Sequence, residues 1–238
     1  MPTTVSQLFH WPSHRRSNPM STVNAVYRLV IFLLLGLVSS AFAKSTKQAV
    51  RKVTFASPCQ TVGKHGVDRW TPKVDPSPVP WNKAAIHKVT PSDVYAWKGP
   101  GPKMPLTRHT ETRLPAEQEW YALTGRVVDV RVEADGDIHV ALKDARPNKV
   151  GTVGVEIPDG PRWCDKRKMV FSWTNAKFPF IIKSNKVFKI VHPHVITVTG
   201  KAFYDVDHAP ADHSNRSTIH EKTAAWEIHP VADLRVEQ

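Results

Sequence analysis

The hydrophobic pattern changes character near residue 119. Beyond it, Tyr121, Leu123, Val127, Val128, Val130 and Val132 form one long β-rich run, and Ala134-Asp135-Gly136-Asp137 interrupts it. Ile138, Val140 and Leu142 then alternate with His139, Ala141 and Lys143. Apolar runs of this kind on either side of an Asp-Gly pair predict a hairpin. Val153, Val155 and Ile157 alternate with Gly154 and Glu156 in a third strand that ends at Pro158-Asp159-Gly160. Residues 162–174 mix apolar and basic positions and fit a short helix, 195–204 and 224–231 are two further β-rich runs, and 205–221 is a polar loop between them. Five strands with one helix between the third and fourth is the order of an OB-fold, so the expected fold class is mainly β, a five-stranded OB-like barrel. A sandwich of another topology is its rival. Gly125, early in the long first strand, suits a bend at a barrel corner.

Residues 44–118 lack sustained periodicity and carry turn signals such as Pro76-Ser77-Pro78 and Gly99-Pro100-Gly101-Pro102. They read as an irregular, Pro-rich arm leading into a barrel domain at 119–238. Trp70, Trp81 and Trp97 need a surface to cover, and the barrel is the expected one; Ser92 is positioned to cap a short helix near Pro91. Residues 1–43 have a different logic. An apolar run from Leu29 to Val38 follows Arg28 and leads to Ala41-Phe42-Ala43, the layout of a signal peptide cleaved after Ala43. The run is about half of what a membrane span requires, so no span is expected after cleavage. Met1 and Met20 are alternative candidate starts, with Met20 giving a leader of more usual length. The expected location is periplasmic or extracellular.

Export bears on the cysteines. Cys59 and Cys164 are the only two in 238 residues, and in an oxidising compartment they are expected to pair. A bridge closing so long a loop would stabilise the fold by roughly 4–5 kcal/mol in the chain-entropy model.

Lys and Arg number 33 against 21 Asp and Glu, a formal net charge of +12. The leader removes only Arg15, Arg16 and Arg28, so the remainder stays basic. Such a charge favours polyanions, whether nucleic acid or acidic polysaccharide, although basicity also serves solubility alone. Arg126, Lys143 and Lys201, with Tyr204 for stacking, are the candidate ligand-binding residues of an OB surface.

Strand parity supplies a second candidate site. With Ile138, Val140 and Leu142 turned inward, His139 faces the other way; the same reasoning sets Glu156, Glu227 and His229 on one side of the wall. With Asp205 and His208 from the following loop, His139, Glu156, His208 and His229 are the candidate ligands of a divalent metal. The competing reading is structural: buried imidazoles hydrogen-bonded to carboxylates such as Asp137 or Asp205. No spacing here is a metal signature of the His-Glu-x-x-His kind, and no residue is assigned as catalytic.

The segments Glu133-Ala134-Asp135-Gly136-Asp137-Ile138-His139-Val140, Glu156-Ile157-Pro158, Val198 to Asp205 with His208, and Trp226-Glu227-Ile228-His229-Pro230-Val231 resemble a family of exported bacterial proteins. Gly66 to Lys73 is similar to the segment preceding the barrel in that family. The resemblance implies an OB-like domain and an envelope location, and no reaction; the His-rich stretch 207–221 departs from its pattern. A more distant likeness is to staphylococcal-type nucleases, without their full catalytic set: Glu156-Ile157-Pro158 reverses the expected order, and Arg146 is the only arginine between Leu142 and Pro158. Two functions therefore stand as expectations. The first is an exported OB-fold module that binds a polyanion and is not an enzyme. The alternative is a metal-dependent hydrolase of phosphodiesterase or nuclease type, using the His/Glu cluster.

Overall fold

The computed structural model describes residues 52–62 and 69–237. The expected leader and its cleavage site, and Gly66 to Asp68, lie outside the described residues. In chain order the strands are β1 (Val53–Phe55), β2 (Ile86–Val89), β3 (Trp120–Val132), β4 (Ile138–Lys143), β5 (Thr152–Ile157), β6 (Phe180–Ile182), β7 (Lys186–Val187), β8 (Val195–Tyr204) and β9 (Trp226–Val236). The helices are α1 (Trp70–Lys73), α2 (Pro91–Tyr95) and α3 (Cys164–Ser172), the last entered through a 3₁₀ turn at Pro161–Trp163.

Five strands close on themselves in the order β3-β4-β5-β9-β8 and back to β3. β5 and β9 run parallel, and the other barrel pairs are antiparallel. This is the expected OB-like barrel, with α3 between its third and fourth strands. Closure depends on the length of β3, whose first half pairs with β8 from Trp120 to Arg126 and whose second half pairs with β4 from Arg126 to Val132. The strand changes partner at a bulge between Val127 and Asp129, just beyond Gly125, where the extra residue bends it. One core layer can be followed around the barrel through register partners: Val130, Val140, Val155, Ile228 and Ala202, all at 1% exposure or less.

The arm covers the outer wall. β2 adds to β3 in parallel, and α2 begins at a capping box in which Thr90 and Asp93 bond reciprocally. Thr90, not Ser92, is therefore the cap; the Ser92 N–H instead donates to Asp144. Trp97 packs on Tyr121 and Trp226, as an arm tryptophan was expected to do, whereas Trp81 is 93% exposed and covers nothing. A fully buried Arg69 fixes the arm. Its guanidinium grips both oxygens of Glu117 and donates to the carbonyls of Thr110, Thr112 and Tyr204.

Cys59 and Cys164 form a disulfide. It ties the segment carrying β1 to the start of α3, and β1 pairs with β6 over a cluster of Phe55, Phe171, Phe178, Phe180 and Phe188. No helix among the described residues is long and apolar enough to cross a membrane.

Candidate metal centre

The register that stacks aliphatic residues inside the barrel stacks ionisable ones outside it. Arg131 on β3 faces His139 on β4, which faces Glu156 on β5, and Glu227 and His229 project from β9 on the same side. This face would be wet in a bare barrel. Here the arm and the 205–225 loop cover it, so His139, Glu156, Glu227 and His229 are all at 7% exposure or less.

Backbone geometry at two glycines makes the cluster possible. Gly136 adopts a left-handed conformation (φ 97°) in the turn that brings Glu133 and Asp137 together, with the Glu133 N–H donating to the Asp137 carbonyl. At Gly154 on β5, an added Cβ would lie 2.6 Å from His139 Cε1 and 2.7 Å from Glu227 Oε1. The missing side chain is the space those two groups occupy. Buried Arg167 of α3 braces the floor by donating to the carbonyls of Gly136 and Ile157.

Imidazoles and carboxylates alternate through the cluster. Asp137 Oδ2 is 3.3 Å from His229 Nε2, His229 Nδ1 is 3.1 Å from Glu156 Oε2, Glu156 Oε1 is 3.0 Å from His139 Nδ1, and His139 Nδ1 is 3.7 Å from Glu133 Oε1. The His139–Glu156 contact is a hydrogen bond. The two contacts of His229 are close but misdirected, so among the described residues both its ring nitrogens and Asp137 Oδ2 are buried without a hydrogen bond. A buried polar atom in that condition is uncommon and marks a place where something other than fold stability is served.

Electrostatics follow from crowding. Burial, reinforced by the charge of Glu156, pushes Glu133 up to about 7. Burial likewise raises Asp135, Asp137, Glu156 and, most strongly, Glu227, whose neighbours Glu156, Asp205 and Glu133 add to the effect. His139 is depressed to about 4 and His229 to about 3, chiefly by burial, so both imidazoles are neutral at physiological pH. Lys73 enters from α1, 3.6 Å from Asp135. Burial alone would lower it, but Glu156, Asp135, Asp137 and Glu227 hold it firmly protonated.

Two sets of donor atoms converge within 4.8 Å: Asp137, Glu156 and His229 deep in the wall, and Glu133, His139 and Glu156 nearer solvent. The outer set lines a pocket of about 20 Å³, room for a water molecule or a bare ion and too little for a nucleotide. Donors of a tetrahedral zinc site, each about 2.0–2.1 Å from the ion, lie roughly 3.3 Å apart; His139 Nδ1 and Glu133 Oε1, at 3.7 Å, are near that spacing, and the 3.0 Å His139–Glu156 hydrogen bond would give way to the ion. Across the pocket is a second pair, His208 Nδ1 at 2.5 Å from Asp205 Oδ2. That hydrogen bond, against the effect of burial, raises His208; burial would raise Asp205, but His208 outweighs it and keeps Asp205 below the ordinary range.

The structure thus brings His139, Glu156 and His229 together, and His208, paired with Asp205, lines the same pocket as His139 and Glu156 without joining either converging set. Glu133 completes the outer set and was not singled out in the sequence. The signal was available, since Asp129 and Arg131 alternate on β3 in phase with His139 and Glu133, just past the strand's end, continues that period. Lys73, remote in sequence, left no such trace. The candidate polyanion residues do not gather. Arg126 and Lys143 are cross-strand neighbours in the open, Lys201 is held by Asp75 and Ser77, and Tyr204 is fully buried with its hydroxyl on the Ser214 carbonyl. No protein-family model, curated protein or solved structure matches the chain.

Proposed function

We propose that the protein is an exported, divalent-cation-dependent hydrolase of anionic esters, of the phosphodiesterase type. The observation that carries this reading is the convergence of Glu133, His139 and Glu156 on a solvent-open pocket just large enough for an ion and water. One imidazole and two carboxylates suit zinc or manganese, and a bound cation supplies an acidified water and neutralises developing negative charge. The residues do the rest. Glu156, common to both donor sets, holds His139 through one oxygen and lies 3.1 Å from His229 Nδ1 through the other. Arg131 lies at the pocket edge for an anionic oxygen. Hydrolysis joins a water oxygen to phosphorus, breaks the ester P–O bond and delivers a proton to the leaving oxygen; His208, oriented through Nδ1 by Asp205, is the residue to carry that proton.

Export is supported by the leader pattern and by the disulfide, and the motif resemblance to exported bacterial proteins agrees with it. The OB-like strand order is compatible with the likeness to staphylococcal-type nucleases, and the proposed chemistry differs from theirs in using imidazoles. A second reading, the polyanion-binding module, is favoured by the net charge and by the exposed Arg126–Lys143 pair. The two separate cleanly. With zinc or manganese, the purified protein is expected to hydrolyse bis(p-nitrophenyl) phosphate, and activity should vanish on chelation and in His139→Ala. Absence of turnover with either ion, together with DNA binding that chelators leave intact and salt weakens steeply, would favour the module.

A further inference from the structure

We infer that the excursion between α3 and β8 docks the protein onto an anionic lipid bilayer. Between Asp165 and Asp205 the chain has no acidic residue, while Lys177, Lys183, Lys186 and Lys189 fall within it. None of these four forms an ion pair among the described residues. The fold decides what accompanies them. Residues 174 and 190 are bridged, so the excursion leaves and returns at one place, and its aromatic side chains turn inward onto Phe55 and Phe171. In β6, Phe180 and Ile182 are buried and Ile181 points the other way. The excursion therefore exposes Ile181, Val187 and Val191 at 49%, 64% and 44%, close in sequence to the lysines, of which Lys186 lies over the Phe180 and Phe188 rings.

That chemistry selects among polyanions. Single-stranded nucleic acid is held by a basic groove with aromatic side chains on which bases stack, and here Phe178, Phe180 and Phe188 are turned into their own cluster. Exposed aliphatic side chains gain nothing from phosphates. They do gain from the acyl boundary of a bilayer, while lysines on long stems stay at headgroup level. Lys186–Val187 pairs with Arg131–Val132, and Arg131 edges the pocket, so docking would bring the site close to the membrane plane. The inference does not depend on the metal reading.

The test is co-sedimentation of the mature protein, in chelator, with vesicles of phosphatidylcholine alone or with phosphatidylglycerol added. Binding is expected only to the anionic vesicles. Each lysine removed among Lys183→Gln, Lys186→Gln and Lys189→Gln should weaken it roughly fivefold. Ile181→Ser with Val187→Ser, which leaves the charge unchanged and alters only exposed positions, should weaken it further, with circular dichroism unchanged. No binding to anionic vesicles, equal binding after Ile181→Ser with Val187→Ser, or binding of single-stranded DNA in preference to vesicles would overturn the proposal. Because chelator is present throughout, failure here leaves the hydrolase reading untouched, and the reverse holds.

Discussion

Two buried groups of charges lie on the outer wall of one barrel, and they are built to opposite standards. At the Arg69–Glu117 pair every partner is matched. The guanidinium meets both carboxylate oxygens and three carbonyls, and Glu117 also accepts from the Leu114 and Tyr204 N–H groups. At the Glu133–His139–Glu156–His229–Asp137 cluster the acids outnumber the cations, the carboxylates rise, and His229 has no directed hydrogen bond among the described residues. A matched buried pair locks an arm in place. An undersupplied one has a use for a cation, and the pocket gives that cation an entrance.

Substitutions should separate the two. Arg69→Ala strands Glu117 in the interior and is expected to destabilise the fold by about 3–5 kcal/mol in denaturant titrations. Any zinc affinity that remains in the folded fraction should be unchanged. Glu156→Gln should do the reverse. Removing a charge from the crowded side should leave stability equal or higher, while zinc affinity measured by calorimetry drops at least a hundredfold. If Glu156→Gln destabilised as Arg69→Ala does, the contrast would collapse. A subtler intrusion is Gly154→Ala, whose methyl pushes on His139 and Glu227. About a tenfold loss of zinc affinity is expected, comparable to disturbing a ligand's supporting contact.

The smallest effect concerns pH. His208 is raised in the folded state by its bond to Asp205. Its stabilising contribution is therefore present in full below the unfolded value near 6.5 and is lost as pH rises through the folded value. Asp205→Asn should abolish that dependence and return the His208 titration, followed by NMR, toward 6.5. A His208 signal unmoved by Asp205→Asn would remove the dyad from the account.

Much of the fold was legible in the chain because a two-residue period and an Asp-Gly turn are local signals. The alternation at Ile138–Leu142 placed β4 correctly and put His139 on the outer wall. The same local reading stopped β9 five residues short, since Ala232 to Val236 looks too polar for a strand; pairing with β8 extends it. Short strands such as β2 and β7 exist only because β3 offers edges to them, which no local pattern reports. The site divides likewise. His139, Glu156 and His229 followed from parity; His208 lines the same pocket, but the sequence could not tell that it pairs with Asp205 rather than joining the converging donors. Lys73 reaches the cluster through packing of the arm, and the contacts of His229 join β9 to β5 and the β3–β4 turn, both long-range events.

The central claim is that Glu133, His139 and Glu156 form a cation site, and isothermal titration of the folded, metal-stripped protein with zinc tests it most directly. The account predicts one tightly bound equivalent, lost in His139→Ala with the fold intact. No saturable binding, or binding that survives both His139→Ala and Glu156→Gln, would contradict it.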